Sequence, residues 1–255
     1  MKHFSYRIHD RDFVLNSIWE GSGDELHYNE IYARNSDFGA RILSGIALAS
    51  LSVANRMGET GWSEPRQAKF SFESVVKSGD HIDILSCCKQ GEDALEVVVD
   101  GRRAMRIVFG QETPPTPERS ATYQKSKGRT LTAGDRQAFD WWISSAFPQV
   151  KLAPPNIIPW PLLASAVSGL IGRMGIISVP HTLLVNRFNE WNFFRSVECG
   201  ETLHAEIHEV IERDSVSKPG WGVWSSARVL VVSDTHNDIV GNSKWICMFK
   251  HGEDG

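Results

Sequence analysis

Residues 23–58 read GDELHYNEIYARNSDFGARILSGIALASLSVANRMG, and the rest of the chain is arranged around this stretch. Its first half crowds Asp24, Glu25, His27, Asn29 and Glu30 into a short polar run opened by Gly21 and Gly23. Its second half, residues 42–57, is almost wholly apolar, with small residues at Ser44, Gly45, Ala47, Ala49, Ser50 and Ala54. Such a run is long enough for a helix, and the lack of a broad polar face predicts burial on most sides. Gly58 and Gly61 are the expected stop signals. A polar cluster feeding a buried helix also suggests a reactive site. Backbone N–H groups at a helix start stabilise negative charge, and the ionisable side chains lie just upstream.

Working outward, residues 1–20 mix aromatic and charged side chains and suit a short strand followed by a turn or helix. Downstream come strand-like runs at 67–76, 81–87, 95–99 and 102–109. The turns between them carry Ser78-Gly79-Asp80, Gly91-Glu92-Asp93 and Asp100-Gly101, the last a hairpin signal. One helix followed by an antiparallel meander is an α+β arrangement. From 111 to 129 the composition changes to Thr113-Pro114-Pro115-Thr116-Pro117 and then a polar, basic tract, which reads as a linker. The pattern then returns: a helix over 135–146, a proline-rich passage, a second buried helix over 162–174, and strands near 183–188, 203–213, 221–233 and 244–250.

Two echoes mark this as a repeat. Arg56-Met57-Gly58 and Arg173-Met174-Gly175 are each expected to close a buried helix, offset by about 117 residues. Val76-Lys77-Ser78-Gly79-Asp80-His81-Ile82 answers to Val197-Glu198-Cys199-Gly200-Glu201-Thr202-Leu203, offset by about 121. The expected organisation is a helix-plus-sheet unit over 1–112 carrying the site, a linker over 113–129, and a structural second unit over 130–255.

The totals narrow the function. At 41% apolar and 23% charged residues the 255-residue composition is that of an ordinary globular protein. A net charge of −4 argues against a general nucleic-acid binder. No apolar run reaches the length of a membrane span, and no apolar segment follows Met1-Lys2-His3, so a secretory signal is not expected. Cys87, Cys88, Cys199 and Cys247 show no CxxC spacing, so reduced thiols and a cytoplasmic location are expected. His204 and His208 are four apart, but Leu203, Ala205 and Ile207 alternate with His204, Glu206 and His208. That alternation predicts a strand with one wet face rather than a metal site. No nucleophile elbow, phosphate loop or dinucleotide fingerprint is present.

With these residues in view, the sequence resembles the MaoC-like type-2 enoyl-thioester hydratases and dehydratases of the hotdog superfamily, in double-hotdog form. Ser22-Gly23-Asp24 stands for the start of that family's motif, and His27, Asn29 and Ala33 keep its His-x-acid/amide-x-x-x-Ala spacing. Phe38-Gly39 and Ile42-Leu43-Ser44-Gly45 stand for the helix entrance. The resemblance implies a double hotdog: two antiparallel sheets, each wrapped on a long helix, fused as a pseudo-dimer. It implies hydration or dehydration of an enoyl or 3-hydroxyacyl thioester, carried on coenzyme A or on an acyl carrier protein. His27 and Asp24 would be catalytic, and Asn29, Phe38, Gly39, Ser44 and Gly45 substrate-binding. No metal and no cofactor beyond the carrier arm is implied, and the assembly would be a homodimer of double hotdogs. Thioester hydrolysis and a non-catalytic acyl-binding role are the alternatives. Two departures stand out. Asp24 lies three positions before His27 where the family's acid lies five before, which leaves Glu25 or Glu30 as substitutes. Ser44 stands where the family has a histidine. The second half carries no counterpart of the Asp and His, and Trp160-Pro161 falls at its helix entrance.

Overall fold

A computed structural model describes residues 3–21, 24–60, 66–89, 92–110, 112, 115–119, 121–148, 150, 154–179 and 181–252, with backbone alone at 3, 57–60 and 88–89. The first half runs β1 (His3–Arg7), α1 (Asp10–Glu20), α2 (Glu25–Tyr28), α3 (Glu30–Arg34), α4 (Gly45–Thr60), β2 (Gln67–Phe72), β3 (His81–Lys89), β4 (Glu92–Val99) and β5 (Arg102–Gly110). The second runs β6 (Gln124–Lys125), β7 (Arg129–Thr130), α5 (Ala133–Ala146), β8 (Ile157–Ile158), α6 (Trp160–Gly172), β9 (His181–Phe193), β10 (Val197–Glu198), β11 (Thr202–Asp214), β12 (Trp221–Ser233) and β13 (Asp238–His251).

Eleven of the described strands form one antiparallel sheet in the order β1-β3-β4-β5-β2-β9-β13-β12-β11-β6, with β7 also on β11; β8 and β10 pair apart from it. The order reads alike outward from the centre: β2 and β9 meet, β5 and β13 flank them, then β4 and β12, then β3 and β11. The seam is a ladder, with Ala68 opposite Trp191 and Phe70 opposite Asn189. Each half is a sheet wrapped on its own apolar helix, and the whole is a double hotdog of the α+β class. Just before α4, Ile42 bridges Lys77; just before α6, β8 pairs β10, Ile157 with Glu198. The Gly-acid turns that follow hold Gly79 at φ 87° and Gly200 at φ 99°, backbone geometry that favours glycine. Ser50 Oγ of α4 and Ser165 Oγ of α6 lie 3.2 Å apart where the two central helices meet.

The outer helices α1 and α5 match as well. Each opens with a capping box, from His9 and Asp12 in α1 and from Thr132 and Asp135 in α5. They pack through Trp19, Phe139 and Trp142, with ring centroids 5.3–5.9 Å apart. Buried Asp12 accepts hydrogen bonds from Trp142 Nε1 at 2.7 Å and Tyr6 Oη at 3.0 Å, tying α1 to both neighbours.

Three expectations need correction. Helix α4 runs through Gly58 to Thr60, so Arg56-Met57-Gly58 lies inside a helix, whereas Arg173-Met174-Gly175 lies beyond one. The repeat is present, but that echo is a coincidence, and Gly61 falls outside the described residues. The tract read as a linker is partly sheet, because Gln124 pairs Ile207 and Arg129 pairs Leu203 along the edge of β11. Strand β11 is a strand as expected, yet its histidine face is dry: His204 is 2% and His208 1% exposed. His204 lies 3.0 Å from Glu206 and 2.8 Å from Asp234, and His208 Nδ1 bonds the Ala121 carbonyl. The returning tract covers what the strand alternation alone would leave wet.

Candidate active site

The two halves differ most in what leads into their central helices. Residues 147–159 join α5 to α6, and Trp160 then heads α6, buried against Phe193 and Phe70 with ring centroids 5.2 and 6.0 Å away. Residues 21–44 join α1 to α4, carry α2 and α3, and deliver Gly45 at the head of α4. The ring of Phe72 lies so close that a Cβ on Gly45 would sit 2.7 Å from Cε1. A cavity of about 430 Å³ opens beside this helix start, lined by Asp24, His27, Ser44 and Gly45 from the first half. Leu183, Trp245 and Cys247 from the second half supply an apolar wall.

Each polar group at the cavity is held by local structure. Asp24 caps α2, accepting the Leu26 N–H at 3.0 Å. His27, three residues on, turns its ring inward; the side chain is 15% exposed, and Nε2 lies 3.7 Å from Asp24 Oδ2. Its Nδ1 is 2.8 Å from the Ile42 carbonyl. A carbonyl can only accept, so Nδ1 carries the hydrogen and Nε2 of the neutral ring is left with its lone pair. Ser44 precedes α4 and accepts the Ala47 N–H at 3.2 Å, the N-cap contact. The first N–H groups of α4, at Gly45 and Ile46, have no partner within the helix, and both residues line the cavity.

Sequence reasoning missed other ionisable groups at the cavity: the exposed Glu73, His181 and Arg187 and, enclosed among its neighbours, Glu20. Glu20, the last residue of α1, lines the same cavity and is 7% exposed. Its Oε2 accepts Asn16 Nδ2 at 2.7 Å, and the Ser168 hydroxyl of α6 lies 3.5 Å from Oε1. Burial pushes its carboxyl above the ordinary carboxylate value; His27, Ser44 and Asn16 pull it down, and Asp24 adds a smaller upward push. One local signal pointed to it. An acid in the last turn of a helix, with no basic residue there, opposes the macrodipole.

The other expected residues lie elsewhere. Asn29 caps α3, accepting the Ile31 and Tyr32 N–H groups at 3.1 Å, and donates to Glu25 at 2.9 Å. Phe38 packs in a small cluster with Leu26, Ile42 and Leu183, and Gly39 makes a turn at φ 66°. None of the three lines the cavity. The substitutes Glu25 and Glu30 are exposed and turned away, Glu30 held by Arg34 and Arg41. Ser22 and Gly23 fall outside the described residues. Cys247 has its thiol pushed up to about 12 by burial, so it stays protonated and is no nucleophile. Among the described residues no group of three or more His, Cys, Asp or Glu is arranged to hold a metal ion. No described helix is long and apolar enough to cross a membrane.

Neither a protein-family model nor a curated protein matches the chain. Solved structures do. A protein from Chloroflexus aurantiacus described as a candidate MaoC domain dehydratase superposes with a TM-score of 0.65 at 12% identity, covering 99% of this chain and 95% of its own. A Mycobacterium tuberculosis protein described as having a double hotdog fold gives 0.62 at 10% identity, covering 97% and 96%. A MaoC-like dehydratase from Phytophthora capsici gives 0.55 at 10% identity, covering 100% and 96%. These coverages span both halves, so the likeness is to the fused pair and not to a single unit. By its fold this chain is a double-hotdog protein, built like the MaoC-like dehydratases along its whole length.

Proposed function

We propose that the protein hydrates or dehydrates an acyl thioester, an enoyl or 3-hydroxyacyl group carried on coenzyme A or on the phosphopantetheine arm of an acyl carrier protein. The observation that carries this reading is the hydrogen bond from His27 Nδ1 to the Ile42 carbonyl. It fixes the tautomer, so that a neutral imidazole offers Nε2 as a base at the cavity, beside the head of α4. Removing a proton from the carbon next to a thioester carbonyl puts negative charge on the carbonyl oxygen. The unpaired N–H groups at Gly45 and Ile46 are suited to receive that charge. Asp24, close to Nε2, favours the imidazolium that forms. The apolar wall at Leu183 and Trp245 suits an acyl chain. The fold neighbours described as MaoC-like dehydratases support the same chemistry. The carrier arm belongs to the substrate, so no separate cofactor enters. The reading includes a cytoplasmic protein, in keeping with free thiols at Cys199 and Cys247, and a homodimer of double hotdogs.

Product analysis tests it. Incubation with a crotonyl-type thioester is expected to give the hydrated thioester, and His27→Ala to remove about 100-fold or more of the rate. Release of free thiol would favour hydrolysis instead. Binding without turnover would leave an acyl-binding protein, and unchanged turnover in the variant would dismiss His27.

A further inference from the structure

Reversible hydration needs two proton-handling groups, one at the α-carbon and one at the oxygen on the β-carbon. Of the three carboxyls that line the cavity, Glu73 is held by Arg103, while Asp24 and Glu20 both act on His27 and differ sharply in their surroundings. Asp24 is 37% exposed and already engaged in capping α2. Glu20 is enclosed between α1, α6 and the start of α4, with Asn16 and Ser168 as partners and Ser44 within hydrogen-bonding reach. Two carboxyls in one site, one wet and one dry, divide naturally into an ionised group and a proton carrier.

We propose that Glu20 is the general acid of this site, the group that protonates the departing hydroxyl while His27 works at the α-carbon. The inference rests on the hydratase reading above and adds to it a residue from outside the polar run around His27. In the elimination direction the α-C–H bond breaks and its proton passes to His27 Nε2. The released pair forms the Cα=Cβ bond. The Cβ–O bond breaks with its pair staying on oxygen, and that oxygen takes the Glu20 proton and leaves as water. The proton on His27 then passes to the Glu20 carboxylate, which resets both groups. Hydration runs the same steps backwards, with Glu20 as the base that takes a proton from the attacking water.

The charged groups around Glu20 are consistent with a carboxyl that keeps its proton until it is needed. From α2, His27 and Asp24 act on it in opposite directions. From the second half, α6 presents only the Ser168 hydroxyl. Arg129 and Arg173 approach the end of α1, but they bond the backbone carbonyls of Trp19 and Gly21 rather than the Glu20 side chain. Asn16 is a positioning residue, since its Nδ2 reaches both Glu20 at 2.7 Å and Ser44 at 3.0 Å.

The test is Glu20→Gln, which keeps the shape and the partners and removes the transferable proton. Hydration of a crotonyl-type thioester is expected to fall about 100-fold or more, with KM changed by less than about threefold. Dehydration of a 3-hydroxyacyl thioester by wild type, where Glu20 is the proton donor, is expected to fall on the alkaline side as Glu20 loses its proton. Folding shows the same ionisation. A carboxyl whose pKa is raised by folding costs stability as pH climbs through its folded value, so wild type should lose stability relative to E20Q over that range. Near-wild-type turnover in E20Q, with His27→Ala inactive, overturns Glu20 and leaves the hydratase reading standing. Absence of hydration by wild type overturns both. Should E20Q fail to fold, the wild-type pH–rate profile for dehydration decides, and a profile with no alkaline fall overturns the proposal.

Discussion

Gly169 in α6 is the position where the fold is least able to accept one more carbon. An added Cβ there would overlap the carbonyl group of Glu20, so the end of α1 lies directly on the backbone of α6. The obstruction is main chain and cannot swing aside as a side chain would. Overpacking a tight contact costs about 1–3 kcal/mol, and a backbone clash belongs at the upper end, about 3 kcal/mol. For a domain of this size that lowers the melting temperature by about 6–12 °C. Gly134, in the first turn of α5, supplies the control. A Cβ there would sit 3.5 Å from Thr132 Oγ1, an ordinary contact. Gly134→Ala is therefore expected to be neutral or stabilising by up to about 1 kcal/mol. Thermal melts and urea titrations of both variants measure the difference. Gly169→Ala should also slow turnover where it is still folded, because moving the end of α1 moves Glu20. A G169A protein within about 0.5 kcal/mol of wild type would refute the close approach and with it the placement of Glu20.

Gly45→Ala is expected to push the Phe72 ring from its seat, since the new Cβ would lie 2.7 Å from Cε1; denaturation should show a loss of about 1–3 kcal/mol. Arg195 donates to Glu201 and to Asp238, with nitrogen–oxygen distances of 2.7–3.0 Å. Burial pushes the Glu201 carboxyl up, but Arg195, the Glu198 N–H and Ser233 outweigh it and hold it below its ordinary value of 4.5. The hydrogen bond from Arg195 likewise holds Asp238 below 3.8. Carboxyls depressed by folding add stability above their unfolded values and lose it as pH falls through the folded ones. Wild type should therefore weaken in acid below about pH 4.5. Arg195→Ala should cost about 3 kcal/mol at neutral pH, because Glu201 is left buried and unpaired, and should flatten that acid fall. Melting curves against pH measure both effects.

Much of the fold was legible because its signals are local. The Asp100-Gly101 hairpin, the Gly-acid turns at Gly79 and Gly200 and the two apolar runs each fix a short piece of chain, and their order fixes the meander. Two of the three misreadings involve partners far away in sequence. The tract around Gln124 looks like a linker until β11 supplies the other side of the ladder. The faces of His204 and His208 look wet until that same tract covers them. The site was half legible. Asp24, His27, Ser44 and Gly45 sit in one run and reach one cavity. Asn29 kept the motif's spacing, but a short helix begins there and uses its side chain as a cap. Glu20 was hidden because its surroundings include Ser44, just before α4, and Ser168 of α6, both distant in sequence.

The β2–β9 seam has a consequence for how such a site can change. In a dimer of identical subunits, every substitution arrives twice, and a large ring at the head of one helix would close both cavities. Here the copies share one gene. A tryptophan stands at the head of α6 while its counterpart on α4 stays a glycine. Fusion lets the second copy serve as a wall, lending Ser168, Leu183 and Trp245 to the cavity beside the head of α4.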